Sequence, residues 1–233
     1  PGQSVPAYNT DGTISAVSGT SFSGPIVSAI IALIYDANPN LGYRDVMEIL
    51  AMSSRKTDAS DPGWQDNGAG NWNGGAMHFS HDYGFGLVDA TAAVRLAETW
   101  QGTQTYANMT QIDTATASPH LTIPSSGTVT TTITVAQDIE IEKVLINLDI
   151  SHQKAGDLVV TLISPDGTES VLVDRIDNGS FVSQYGIVGI NFQMSTNASW
   201  GEGSAGVWTL KIEDMAAGNS GTLNNWSDRK SVV

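Results

Sequence analysis

The chain has 233 residues, of which 40% are hydrophobic. Its 10 basic and 24 acidic residues give a net charge of -14, which argues against a nucleic-acid partner and favours solubility. It contains no cysteine, which excludes disulfide bonds, metal thiolates and a thiol nucleophile.

The first feature along the chain is a serine at the predicted start of a helix. Gly19 and Thr20 form a tight entry to Ser21. Pro25 is tolerated only in a first helical turn, so the helix is predicted to begin just ahead of it. Free amides at a helix start can hold the oxyanion of a tetrahedral intermediate, so a nucleophilic serine is physically compatible with position 21. Serine is also a preferred helix N-cap, and the Gly-Thr-Ser triplet alone does not decide between these roles.

A strongly apolar run follows this serine. Residues 26–35 are apolar on nearly every face, which predicts a helix buried within a large core. The run is too short to span a membrane, and the chain has no longer apolar stretch. We therefore expect no membrane span.

Two further helices are predicted from apolar residues spaced three and four positions apart. The apolar residues of the first helix are Val46, Ile49 and Leu50, and those of the second are Leu87, Ala90, Val94 and Ala97. Residues 54–82 between them are rich in Gly, Asn, Asp and Trp, and Asp66-Asn67-Gly68 is a strong turn signal. A long surface loop is predicted there.

The second half of the chain has the pattern of a β domain. Residues 101–119 show no sustained periodicity and are predicted to be a linker. From His120 onward, short runs of alternating β-branched residues predict strands, for example at 128–135 and 144–150. Gly-containing turns between the runs are typical of a β sandwich.

Several of these segments resemble one family of enzymes. Residues 19–27, Gly-Thr-Ser-Phe-Ser-Gly-Pro-Ile-Val, resemble the nucleophile segment of subtilisin-like serine peptidases, and this resemblance implies that Ser21 is the catalytic serine. Residues 36–46 and 80–90 are similar to segments of the kexin and furin branch. Ser164-Pro165-Asp166-Gly167-Thr168 and residues 206–210 resemble the P domain of that branch. The resemblance implies an α/β fold, part of a three-layer subtilisin-like catalytic domain, followed by an all-β jelly-roll sandwich.

The same resemblance suggests how the chain is divided. Residues 1–100 would be the C-terminal portion of the catalytic domain, 101–119 a linker and 120–227 the P domain. Residues 228–233, Asp-Arg-Lys-Ser-Val-Val, read like the in-frame translation of a common sequencing adapter. We therefore expect them to be a non-native tail and leave them out of the fold prediction, with an ordinary polar tail as the alternative.

The resemblance also implies roles for individual residues. Subtilases arrange their catalytic triad along the chain as aspartate, histidine and then serine. With Ser21 as the serine, both partners would lie upstream, so this chain alone is predicted to be inactive. Thr20 would support the oxyanion through its hydroxyl. Sequence does not exclude His81 as a base by distance, but the family pattern places it outside the triad.

Acidic residues of the β domain suggest a calcium site. Hard cations need several oxygens that converge from loops. Four aspartates lie at predicted strand ends, namely Asp157, Asp174, Asp177 and Asp214. Calcium would be structural, as in many subtilases, and no organic cofactor is expected.

Two functions are compatible with this pattern. The first is a secreted serine endopeptidase that acts on protein or peptide substrates, as a monomer with intramolecular packing of its domains. The second is an accessory module in which the sandwich binds a protein or polysaccharide and the serine is a relic. Its candidate contacts are Trp200, Trp208 and Trp226, which would be exposed in a binding module and buried in a stabilising domain.

Overall fold

Helices dominate the first part of the chain, and strands dominate the second. The computed structural model describes residues 4–70, 75–114, 116–176 and 189–232. Contacts between residues divide the chain into two units, the first formed by Pro1–Trp64 and His78–Asn108 and the second by Gln65–Met77 and Met109–Val233.

The first unit combines three helices with short strands. Its elements are β1 (Val5–Tyr8), β2 (Ile14–Val17), α1 (Thr20–Ala37), α2 (Tyr43–Ser53), β4 (His78–Phe79) and α3 (Ala90–Thr99), with β3 (Gln65–Asp66) assigned to the second unit. Strands β1 and β2 form an antiparallel pair that ends just before α1. The three helices share an apolar core of Ile30, Ile34, Leu41, Val46, Ile49, Ala93 and Ala97.

Helices α2 and α3 confirm the two helices predicted from apolar spacing, with one change of boundary. Helix α3 begins at Ala90, because Asp89 caps it by accepting a hydrogen bond of 2.9 Å from the amide of Ala92. Leu87 therefore lies outside the helix, and its backbone pairs instead with Arg55.

The prediction that the helix after Ser21 is buried is wrong for this chain. Within α1 only Ile30 and Ile34 are buried, whereas Ile26 is 47% exposed and Leu33 is 52% exposed. The helix packs on α3 and β1, and several of its apolar side chains stay exposed within the described residues. With 18 residues, α1 is also long and apolar enough to cross a membrane by length and composition, contrary to our expectation, although a single such helix is weak evidence for a span.

The predicted surface loop at residues 54–82 is partly buried. Asn67, Ala69, Met77 and Phe79 have almost no exposed surface. Residues 65–77 also belong to the second unit rather than to the first, so the division between the units does not follow the order of the chain.

The second unit is a β sandwich of two antiparallel sheets. Its strands are β5 (Thr110–Asp113), β6 (Leu121–Ile123), β7 (Thr128–Val135), β8 (Ile141–His152), β9 (Leu158–Ile163), β10 (Glu169–Asp174), β11 (Gly189–Thr196), β12 (Gly206–Asp214) and β13 (Gly221–Val232). One sheet has the order β10-β9-β12-β7. The other has the order β11-β8-β13-β5, and β6 also pairs with β13.

Alternating residues of both sheets fill the core between them. Strand β8 shows the pattern clearly, because Val144, Ile146, Leu148 and Ile150 are buried while Asn147 is exposed. Apolar residues of the other strands, among them β7, β9, β12 and β13, belong to the same cluster. The all-β second half that the alternation predicted is confirmed.

The two ends of this unit differ from the sequence prediction. Strand β5 lies inside the predicted linker and pairs with the end of β13. Strand β13 continues to Val232 and pairs with β8 over most of its length, so residues 228–232, which the fold prediction left out, form part of a strand. Their non-native origin stays a prediction. The side-chain pattern did not predict these pairings, because the hydrogen bonds between strands use backbone groups, which any non-proline residue supplies.

The end of β13 carries a buried charge pair. Lys230 is 0% exposed, and its Nζ lies 2.6 Å from Oδ1 of Asp228. The same Nζ lies 4.2 Å from the ring centroid of Trp208. Burial lowers the pKa of the Lys230 ammonium, and the neighbouring Asp228 carboxylate opposes that shift.

This pair gives a testable dependence of stability on pH. Because the folded chain releases the Lys230 proton at a lower pH than the unfolded chain, the free energy of unfolding should rise as the pH increases through the folded pKa towards 10.5. Urea unfolding at several pH values should show a smaller rise in the Lys230→Met variant. Lys143→Met, on the outer side of β8, is the control. An equal rise of the free energy of unfolding in both variants would contradict the assignment of this pH dependence to Lys230.

Candidate active site

Ser21 lies in the first turn of α1, as predicted, but the helix begins earlier than expected. Its first residue is Thr20, and Gly19 is the N-cap with φ 152° and ψ 150°. A positive φ of this kind favours glycine, so Gly19 is suited to this sharp entry. Pro25 consequently lies inside the helix and not in its first turn. Its missing N–H removes the bond that the carbonyl of Ser21 would otherwise accept.

The first turn of α1 presents free amides next to the serine hydroxyl. The first N–H groups of a helix have no acceptor within the helix, and Gly19 has no side chain to accept from them. The Phe22 amide donates to the carbonyl of Gly19 at 3.1 Å. The partial positive charge at this helix end favours a nearby anion. The arrangement can therefore stabilise negative charge that develops beside Ser21.

The side chain of Ser21 is accessible. Ser21 and Thr20 are both exposed, and the Ser21 hydroxyl makes no hydrogen bond with any group in the described part of the chain. Ser23 differs, because its hydroxyl donates to the carbonyl of Thr20 at 2.9 Å. The Ser21 hydroxyl is thus accessible to the carbonyl carbon of a substrate, whereas the Ser23 hydroxyl stabilises the first turn of the helix.

The histidines of the first unit have other contacts. Nε2 of His78 lies 3.0 Å from the carbonyl oxygen of Phe85. The ring of His81 packs edge-on against Phe79, with 5.9 Å between centroids. Neither histidine is hydrogen-bonded to Ser21, so the described residues place no general base at the serine.

Two of the aspartates predicted to bind calcium already face basic groups. Asp157 is buried, and its Oδ1 lies 3.0 Å from Nζ of Lys154. Asp214 is also buried, and its Oδ2 lies 3.3 Å from Nε2 of His152. Nδ1 of His152 accepts from the amide of Lys154 at 3.0 Å, so both ring nitrogens of this histidine have a neighbour.

Only one of the other two aspartates lies in the part of the chain that the structure describes. Asp174 is exposed at the end of β10, and Asp177 lies outside the described residues. Within the ranges that the structure describes, no group of three or more His, Cys, Asp or Glu side chains is placed to hold a metal ion. Calcium binding at these aspartates stays a prediction.

The three tryptophans proposed as binding contacts are buried. Trp208 and Trp226 are fully enclosed in the sandwich core, and Trp200 is 4% exposed. The Trp208 indole donates to the carbonyl of Ser204 at 2.9 Å, which satisfies its polar group inside the core. These residues stabilise the domain and offer no binding surface.

Sequence profiles of two families match the chain in succession. The profile described as Subtilase family matches residues 3–86, which include Ser21 and the whole of α1. The profile described as Proprotein convertase P-domain matches residues 141–227, which lie within the sandwich.

Individual relatives match most of the chain. Human proprotein convertase subtilisin/kexin type 6 is 33% identical over 236 residues, which cover 90% of this chain and 22% of the relative. Human furin is 33% identical over 214 residues, which cover 90% of this chain and 25% of furin. Protease KEX1 of Kluyveromyces lactis is 31% identical over 216 residues, which cover 89% of this chain and 27% of that protease. The chain thus spans about a quarter of the length of these relatives.

A solved structure has the same architecture. The crystal structure of a serine protease of Aeromonas sobria superposes with a TM-score of 0.79 at 25% identity, covering 94% of this chain and 45% of that protein. The two profiles, the relatives and this fold agree with one another: the chain has a Subtilase family segment at residues 3–86 followed by a proprotein convertase P-domain segment at residues 141–227, and it is similar over most of its length to proteases of the kexin and furin type.

Proposed function

We propose that this chain supplies the nucleophile and part of the oxyanion site of a serine endopeptidase. The observation that supports the proposal is the exposed hydroxyl of Ser21, which makes no hydrogen bond with another described residue and lies in the first turn of a helix. The match to the Subtilase family over residues 3–86 supports the same reaction class.

In the proposed reaction the Ser21 oxygen attacks the carbonyl carbon of the scissile peptide bond. A histidine base takes the hydroxyl proton, and the carbonyl oxygen becomes an oxyanion that the Ser21 amide stabilises. Collapse of this tetrahedral intermediate breaks the C–N bond, and the amine leaves with the proton from the base. Water then hydrolyses the acyl-enzyme and restores the Ser21 hydroxyl.

Thr20 is proposed to add a second donor to the oxyanion. It is the first residue of α1 and is exposed beside Ser21. Its hydroxyl makes no hydrogen bond with another described residue, so it is available to a ligand. Such a donor lowers the barrier only if it contacts the oxyanion more strongly than it contacts the substrate carbonyl.

The base and its aspartate are proposed to come from sequence upstream of this chain. No histidine in the described part of the chain contacts Ser21, and the chain spans only about a quarter of relatives such as furin. The isolated chain would then be inactive. The complete protein would be a secreted enzyme with protein or peptide substrates.

The sandwich is proposed to stabilise the enzyme and to perform no chemistry of its own. Its core is apolar, with two fully buried tryptophans, and burial of apolar surface contributes about 25 cal/mol per Å². A stabilising role fits this interior better than surface binding by the tryptophans does.

The first prediction concerns the isolated chain. Purified residues 1–233 should hydrolyse neither casein nor a fluorogenic peptide, because loss of the histidine alone costs subtilisin about a millionfold in turnover. Circular dichroism should confirm that the sample is folded. Turnover that disappears in the Ser21→Ala variant would refute the proposed need for upstream residues.

The second prediction concerns Thr20 in a longer form of the protein that carries the upstream histidine and aspartate. Thr20→Val should lower kcat by about a hundredfold, as expected for loss of one oxyanion donor, with little change in KM. Thr20→Ser keeps a hydroxyl and should retain most of the activity. Equal kcat values for the two variants would exclude the hydroxyl from this role.

A further inference from the structure

One end of the sandwich holds the side chain of Asn67 with four hydrogen bonds. Its Nδ2 donates to the carbonyl oxygens of Ala198 and Trp200 at 2.9 and 2.8 Å. Its Oδ1 accepts from the amides of Ala69 and Met77 at 3.1 and 2.9 Å. Asn67 is only 5% exposed, and these bonds use both hydrogens and both lone pairs of the side-chain amide. An aspartate of the same size could not donate to the two carbonyls.

The next residue has to be glycine. The amide of Gly68 donates to Oε1 of Glu202 at 2.8 Å, and the Thr168 hydroxyl also donates to that oxygen. A Cβ at position 68 would lie 2.8 Å from Cγ of Asp166 and still closer to its Cβ. Because the Cβ of Asp166 is fixed to its backbone, a side-chain rotation cannot relieve this clash. The backbone itself would have to move.

The charge of this end of the sandwich also favours N–H donors. Glu202 is 1% exposed, and its Oε2 has no hydrogen-bond partner among the described residues. Burial raises the pKa of the Asp166 carboxyl, and the charges of Glu202 and Asp138 raise it further. Acidic groups and main-chain carbonyls therefore surround the position where the Asn67 amide and the Gly68 N–H point. A carboxylate side chain at position 67 would be repelled.

From these contacts we propose that this end of the sandwich is a recognition site for an Asn-Gly pair and that Asn67–Gly68 of the same chain occupies it. The pair lies within the stretch that matches the Subtilase family, at residues 3–86. The residues that receive it, from Asp166 to Glu202, lie within the stretch that matches the P domain. The site thus binds a segment of the peptidase-type sequence through side-chain and main-chain groups, and it does not depend on the role of Ser21.

Amide hydrogen exchange of the unmodified chain is the first test. The amides of Gly68, Ala69 and Met77 each donate to the site or to Asn67, whereas the Gly70 amide makes no hydrogen bond within the described residues. The three bonded amides should exchange about ten- to a hundredfold more slowly than Gly70. Equally fast exchange of all four would overturn the proposal without any mutation.

Substitutions of Asn67 test the side-chain contacts. Asn67→Ala and Asn67→Asp should both speed exchange of the Gly68 and Ala69 amides by about tenfold or more, because each leaves two buried carbonyls without their donor. Asn191→Ala, at an exposed position of β11, is the control and should change neither amide. If the Gly68 and Ala69 amides of Asn67→Asp exchanged as slowly as in the unmodified chain, the site would not distinguish an amide from a carboxylate. That result would contradict the proposal.

A pair of glycine variants tests the requirement at position 68. Gly68→Ala should release the segment and speed the same exchange, whereas Gly70→Ala should not, since a Cβ at position 70 meets no atom within 4 Å. Thermal unfolding should show a lower Tm for Gly68→Ala alone. Equal behaviour of the two variants would mean that no close contact exists at Gly68.

Discussion

The proposed chemistry depends on the open first turn of α1. A helix leaves its first amides unpaired, and here the N-cap is a glycine that has no side chain to satisfy them. Gly19 can adopt the required φ of 152°, which brings the chain sharply into the helix and places Thr20 and Ser21 at its exposed end. A side chain that capped these amides would compete with a substrate oxyanion for the same donors. The geometry therefore keeps the donors available and the nucleophile beside them.

The rest of the first unit positions this turn. The hairpin of β1 and β2 leads directly into it, and Ile30 and Ile34 anchor α1 to the helical core further along. The outer side of the same helix has exposed apolar residues such as Leu33. This combination of a fixed axis and uncovered apolar faces agrees with a helix that needs further partners before the site is complete.

The sequence predicts the parts of this structure that local rules determine. The apolar spacing of α2 and the alternation along β8 depend on neighbouring residues, and both predictions agree with the structure. The Gly-Thr-Ser entry places Ser21 at the start of a helix as predicted, but Pro25 does not mark that start, because it lies inside α1. The burial of α1 could not be predicted correctly, because it depends on which distant segments cover the helix. Asp66-Asn67-Gly68 predicts a turn, whereas Asp66 ends strand β3 and Asn67 follows it. The carbonyl partners of the Asn67 side chain lie more than 130 residues away and have no local signal. Strand pairing at residues 228–232 was missed for a related reason, since backbone groups pair whatever the side chains are.

The most direct test of the central claim is to map the site at which a serine-directed phosphonate reacts. The experiment uses the longer protein that carries the upstream histidine and aspartate, and mass spectrometry of its peptides after labelling. The account predicts one adduct, on Ser21, and none after the histidine is replaced. The account would be contradicted if a preparation that is active before labelling carried its adduct on another serine.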